Sequence, residues 1–201
     1  MTTNLPAVRV LRSDDPEAAR LLEAGARVVS ESWGARLAVT PEVLAACRAA
    51  VDAARAAGWT VRALAPAEAA ALVALDAGAA ADYPVTVATS HDVPDAVALA
   101  AALGAGGRWA FGAFSADGRL DAVTLLYPVA DRVEVDFTVT RAEARRRGLA
   151  TAVKGAAVLA LAAAGHRRFG SGGAGENVGS RRANEALGYV VTERWVHLRV
   201  G

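Results

Sequence analysis

The chain has one cysteine, one lysine and few aromatic residues, 5% of 201. Cys47, standing alone, excludes an internal disulfide framework and a cluster of thiolates around a metal. Its neighbours Leu44, Ala45 and Ala46 are small or helix-forming, so Cys47 reads as a buried apolar residue rather than a nucleophile. Lys154 is the only lysine, and every other basic residue is arginine. Beside so much alanine this is a coding bias, so the abundance of arginine does not by itself signal phosphate recognition. An excess of either charge is also missing. A formal net charge of +1 excludes a bulk electrostatic pull toward nucleic acid or an anionic membrane. The longest apolar run, residues 155–165, is mostly alanine and too short to span a bilayer. Residues 1–9 show no basic stretch followed by an apolar one, so no secretory signal is visible and a cytoplasmic protein is expected. No His, Cys or carboxylate pair has metal-ligand spacing, and no Gly-x-Ser-x-Gly elbow occurs.

What is present reads as an ordered globular chain, 54% hydrophobic and 21% charged. Its length suits one domain or one and a fraction. The most informative segment is Arg145, Arg146, Arg147, Gly148, Leu149, Ala150, placed between a strand-like run at residues 133–140 and a helix-like run at residues 151–164. A strand, a short glycine turn and a helix put unpaired backbone N–H groups at the positive end of a helix dipole, which suits a phosphate. Around it, residues 60–64 read as a strand and Pro66 opens a helix reaching about residue 81. A loop follows, then a helix at residues 95–103. Strands are expected at residues 108–114, 120–129 and 133–140, the first two joined by Ser115, Ala116, Asp117 and Gly118. After the motif helix come a short strand at residues 167–170, a Gly-rich loop at 171–175, a helix at 179–187 and a strand at 189–200.

The spacing Arg145-x-x-Gly148-x-Ala150 resembles motif A of the GNAT acetyltransferase superfamily, Q/R-x-x-G-x-G/A, and the order β-α-α-β-β-β-α-β-α-β over residues 59–201 is that of the GNAT fold. A second segment, Asn177 with Asn184-Glu185-Ala186-Leu187-Gly188-Tyr189, is similar to the family's N…N-x-x-L-G-F/Y stretch. The resemblance implies a mixed, twisted α/β sheet with helices on both faces and an acetyl-CoA-dependent N-acetyltransferase. It implies that backbone groups of Arg145, Arg146, Arg147, Gly148, Leu149, Ala150 and Thr151 bind the pyrophosphate of coenzyme A. Main-chain groups of Thr138, Val139 and Thr140 would pair with the pantetheine, and Asn177 and Asn184 would lie on the helix beside the cofactor. Arg146 and Arg147 would add charge-assisted contacts, with solvated arginines as the alternative.

Acetyl transfer to an amine also needs a base. Glu134 and Asp136 alternate along one strand, so both are expected on one face together with Thr138. In GNAT histone acetyltransferases a strand glutamate stands eleven residues before the Q/R of motif A, the spacing of Glu134 from Arg145. Glu134 is therefore the expected base and Asp136 its substitute, the alternative being a merely solvated sheet face. Many GNAT enzymes place a tyrosine seven residues after the first asparagine of the second segment; here that place is Asn184, so the group that protonates the departing thiolate is unassigned. The loop at residues 81–92 is the expected substrate loop, with Asp82 and Tyr83 as substrate contacts beside His91 and Asp92. Its acids lean toward a cationic amine, either a small molecule or a peptide. A GNAT-like module that binds acyl-CoA without turnover is the alternative.

Residues 1–58 lie outside the motif-bearing unit and contain an echo of it. Val28-Val29-Ser30-Glu31-Ser32-Trp33 matches Val190-Val191-Thr192-Glu193-Arg194-Trp195. The expectation is a truncated first copy keeping the last helix and strands, joined by an amphipathic helix at residues 41–58 with Val43, Leu44, Cys47 and Val51 on one side. Chance similarity of two valine-rich strands is the other reading. The exposed edge that a truncated copy would leave favours a homodimer.

Overall fold

The computed structural model describes residues 8–80 and 95–200. Among these are eight strands, β1 (Val8–Arg12), β2 (Arg27–Ala38), β3 (Thr60–Ala63), β4 (Trp109–Phe114), β5 (Leu120–Val129), β6 (Arg132–Thr140), β7 (Arg168–Ala174) and β8 (Val190–Arg199). Six helices accompany them: α1 (Pro16–Glu23), α2 (Pro41–Ala56), α3 (Ala69–Ala79), α4 (Ala96–Gly104), α5 (Leu149–Ala163) and α6 (Val178–Glu185). All strands join one sheet in the order β1-β8-β2-β7-β6-β5-β4-β3. The sheet is mixed, because β6 and β7 are parallel while every other neighbouring pair is antiparallel.

Local chemistry fixes the helix starts. Thr40 caps α2 by accepting from the Val43 N–H at 3.3 Å with Pro41 in the first turn, and Asp95 caps α4 by accepting from Val97 and Ala98 at 2.9 Å each. Spacings of three and four place Cys47, Val51 and Ala54 of α2 on one buried stripe. That stripe belongs to the layer α2 forms with α5 on one face of the sheet, where Cys47, Ala157, Val158 and Leu161 pack on Leu126, Val133 and Phe169. On the other face Leu72 and Leu75 of α3 and Leu99 of α4 pack on Val123, Leu125, Phe137 and Val139.

The N-terminal segment is built into this sheet. Strand β2 lies between β7 and β8, running antiparallel to both, and the two echoing segments are neighbours, with Ser32 opposite Trp195 and Trp33 opposite Arg194. The stretch at 171–175, expected as a loop, is instead the second half of β7 as far as Ala174. Its glycines signal close approach: a Cβ on Gly173 would come within 3.0 Å of the Trp33 ring, whose Nε1 donates to the Ala174 carbonyl at 3.0 Å. The partner that turns these glycines into strand is distant, Trp33 standing 141 residues before Ala174 in the sequence, so no local pattern announces it.

Candidate active site

The turn between β6 and α5 is shaped by two left-handed residues, Arg146 at φ 64° and Gly148 at φ 76°. Such turns curl successive N–H groups toward one point and form an anion-binding concavity. Gly148 is also the N-cap of α5 and supplies no side-chain cap, so the first N–H groups of the helix keep their capacity for a ligand. A left-handed arginine costs about 1 kcal/mol or more, strain of a kind that collects at binding sites.

Beside this turn the sheet opens. Strands β6 and β7 pair only at Val133 with Phe169 and Glu134 with Gly170; beyond that β7 pairs with β2 and β6 with β5. The gap, roofed by the start of α5 and by α6, holds a cleft of about 620 Å³. Of the residues expected around a cofactor, Thr138, Thr140, Arg145, Arg146, Gly148, Leu149, Ala150, Thr151 and Asn177 line it. The other three stand off its wall. Val139 is buried in the layer against α3 and α4, Arg147 lies over the Trp59 ring at 5.6 Å, and Asn184 is a buried residue of α6. Asn177 caps α6 by accepting from the Ser180 N–H at 3.0 Å.

Seven lining residues were not among the expected ones, and two of them, Lys154 and Arg182, are basic. Lys154 is 3% exposed, yet among the described residues Nζ donates only to neutral groups, Ser171 Oγ and Asn184 Oδ1, both at 3.1 Å. Asn184 is held in place in turn by donating to the Ser180 carbonyl at 2.9 Å. Burial lowers the Lys154 pKa to about 7. The sequence did hold a signal. At a buried position without an acid an arginine stays charged, whereas a lysine can lose its proton, and this is the one basic residue that is not arginine.

The face carrying Glu134 differs from the expected one. Opposite β6, Leu125 pairs with Phe137 and Leu126 with Val135, leaving Asp136 as an extra residue in a β-bulge. The alternation slips by one there. Val133 and Val135 pack in the α2/α5 layer, but Phe137 and Val139, of the same parity, pack in the α3/α4 layer. Glu134 and Thr138 therefore point to opposite faces of the sheet, not to a shared one. Glu134 forms ion pairs with Arg132 and, at 3.8 Å, with Arg36, which also holds Glu193 at 2.8 Å. Asp136 pairs with Arg108, whose guanidinium lies 5.5 Å from the centre of the Tyr127 ring. Burial, then the negative charge of Asp136 and Glu134, push the Tyr127 phenol above its ordinary pKa. Asp82, Tyr83, His91 and Asp92 lie outside the described residues.

An open mixed sheet with helices on both faces and a cleft at a splayed parallel pair defines an acyltransferase fold. It is the fold of the GCN5-related N-acetyltransferases. A member from Sphaerobacter thermophilus superposes with a TM-score of 0.68 at 18% identity, over 95% of this chain and 58% of that one. A tandem GNAT protein of the clavulanic acid pathway gives 0.58 at 19% identity, over 96% of this chain and 62% of that one. A GNAT acetyltransferase from Streptococcus pneumoniae gives 0.58 at 16% identity, over 70% of this chain and 97% of that one. This chain thus spans less than two thirds of the first two and nearly all of the third. No protein-family model matches the sequence, and no curated protein is significantly similar to it.

Proposed function

We propose that this chain is an acetyl-CoA-dependent N-acetyltransferase that moves the acetyl group to a primary amine. The observation that carries this reading is the cleft running from the uncapped start of α5 into the gap between β6 and β7. Acetyl-CoA supplies the activated acyl group. Backbone N–H groups of residues 145–151 hold its pyrophosphate, with Arg145, Arg146 and Arg182 on the wall adding positive charge. The main chain at Thr138, Val139 and Thr140 has no partner from β7, which suits pairing with the amide-bearing pantetheine as an added strand. Glu134 sits where the two strands part, on the face opposite Thr138, so the amine approaches from one side of the sheet and the cofactor from the other. Glu134 takes the ammonium proton, with Asp136 as its substitute.

On that face Arg36, Arg108 and Arg132 balance Glu134, Asp136 and Glu193, so charge alone does not select a cationic acceptor. The acceptor class stays at a primary amine of a small molecule or peptide. Residues 1–58 are read as a truncated first copy, supported by the antiparallel pairing of the two echoing strands and by the likeness to a tandem GNAT protein.

Acetyl-CoA is expected to raise the unfolding temperature of the protein, because a ligand bound only by the native state stabilises it. Gly148→Val should abolish that rise. A β-branched residue resists φ 76°, at a cost of about 1–2 kcal/mol, and refolding the turn disperses its N–H groups. An undiminished rise in G148V removes the turn from cofactor binding. With an acceptor from an amine panel, scored by thiol release, Glu134→Gln should lower kcat by about a hundredfold or more while the acetyl-CoA shift persists. Full activity in E134Q takes Glu134 out of the mechanism. A module that binds acyl-CoA without turnover is the second reading, favoured by the engagement of Glu134 with Arg132 and Arg36. A cofactor shift with no thiol release across the panel selects it.

A further inference from the structure

We infer that Lys154 is the group that gives a proton to the coenzyme A sulfur as it leaves. The inference rests on the cofactor reading above and adds a residue that no motif supplied.

Lys154 stands five residues beyond Leu149, the first residue of α5, and so about 7–8 Å along the helix from the turn, in the direction of the gap between β6 and β7. It lines the same cleft as Thr138 and the turn, so a cofactor seated with its pyrophosphate at Gly148 shares that cleft with Nζ. The group is built to hold a proton in reserve. An ammonium has three N–H donors; Ser171 and Asn184 take two, and the third has no acceptor among the described residues. Both acceptors are themselves buried, at 2% and 1% exposure, so Nζ is held in one place.

A buried cation without an anion is costly, and the described residues of the site offer no relief from their side chains. The other charged residues lining the cleft are Arg145, Arg146 and Arg182, all cationic. Cys47, from the helix packed along α5, stays neutral because burial pushes its thiol up to about 11, and burial likewise raises the Tyr189 phenol. An anion generated in the cleft is what Lys154 lacks, and a departing thiolate is one. Burial also brings Nζ close to neutrality, at about 7, so both of its protonation states are populated at physiological pH and the group can be reloaded after each turnover.

The step balances as follows. The substrate nitrogen, having lost a proton to Glu134, forms a bond to the acyl carbon. As that bond forms the carbonyl electron pair moves to oxygen; when it returns, the carbon–sulfur bond breaks with its electron pair going to sulfur, sulfur takes a proton from Nζ, and the nitrogen sheds its second proton to water as the amide forms. Lys154 is left as a neutral amine and regains a proton from solvent, to which Glu134 gives up the one it took. No oxidant, reductant or further reactant is needed.

The same chemistry run on free coenzyme A gives a test that needs no acceptor. A neutral Nζ beside the thiol draws off its proton, so coenzyme A bound to the wild-type protein should show ultraviolet thiolate absorbance at about pH 7, at least tenfold above free coenzyme A, whose thiol resembles that of cysteine with a pKa near about 8.5. Lys154→Met and Lys154→Gln should bind coenzyme A, as read by thermal shift, and show no excess thiolate. Acetyl-CoA, which has no ionisable thiol, should give no such signal with any of the three. With an acceptor found, kcat of the wild type should fall as pH rises through the Lys154 titration, and K154M should lack that limb. Thiolate formation in the wild type no greater than in free coenzyme A overturns the proposal without reference to any variant, and equal thiolate in wild type and K154M does the same. If neither coenzyme A nor acetyl-CoA shifts the wild-type unfolding temperature, the cofactor reading falls and this proposal with it; a clear shift without excess thiolate removes this proposal alone.

Discussion

A fragment beginning at residue 59 is expected not to fold, even though it contains every motif that resembles an acetyltransferase. The reason is the place of β2, which pairs with β7 from Ser32 to Ala38 and with β8 from Arg27 to Arg36. Deleting it leaves β7 with no partner beyond Gly170 and separates β8 from the sheet. It also strips Trp33, Ala35 and Leu37, none more than 3% exposed, from the core they share with Phe169, Leu187 and Tyr189. Truncating one buried tryptophan typically costs about 3–5 kcal/mol, and a whole domain is stable by only about 5–15 kcal/mol. The fragment should therefore show no cooperative urea transition, while the full chain shows one. Supplying residues 8–58 as a separate peptide should restore the transition in part. A cooperative transition of the fragment alone, of slope matched to its length, would show that β2 is dispensable.

Replacing Lys154 with methionine is expected to stabilise the ligand-free protein below about pH 7, with a gain that shrinks as the pH rises toward the ordinary lysine range. The sign follows from the direction of the shift. Burial depresses the folded-state pKa to about 7 from the ordinary lysine value of 10.5, so between those values the unfolded chain binds more protons than the folded one. Wild-type stability then rises with pH across that window and is lowest below it, where the folded protein must hold a buried ammonium. The full effect is on the order of a few kcal/mol. Methionine carries no charge, so K154M should lack the rise. Against this gain stands the loss of donors to Ser171 and Asn184, roughly 1 kcal/mol for each hydrogen bond. The two curves of unfolding free energy against pH should converge or cross at alkaline pH. Parallel curves would mean that Lys154 does not change its protonation on folding, and would weaken its part in proton transfer as well.

Much of the architecture is legible locally. The helix at 41–56 is legible from Pro41 and the spacing of Val43, Leu44, Cys47 and Val51, which act within a few residues of one another, whereas Asp95, expected inside the next helix, is its N-cap. The strands at β4, β5 and β6 follow from runs of β-branched and aromatic residues broken by Asp117-Gly118 and Asp131. The anion-binding turn is legible for the same reason, since a glycine that must take a positive φ and the helix after it are neighbours in sequence.

Features made by distant partners are not legible in this way. The glycines at 172 and 173 suggest a loop until Trp33 covers them. Strict alternation places Glu134 and Thr138 together until the bulge at Asp136 parts them. Lys154 passes for one more basic residue until α5, β7 and α6 close around it. The order of elements and the turn before α5 are written in the local sequence, because each depends on contacts a few residues apart. The place of the N-terminal strand in the sheet, the face Glu134 serves and the burial of the sole lysine without an anion among the described residues come from the folded chain, because pairing register and desolvation are set by residues that the chain brings together from far away.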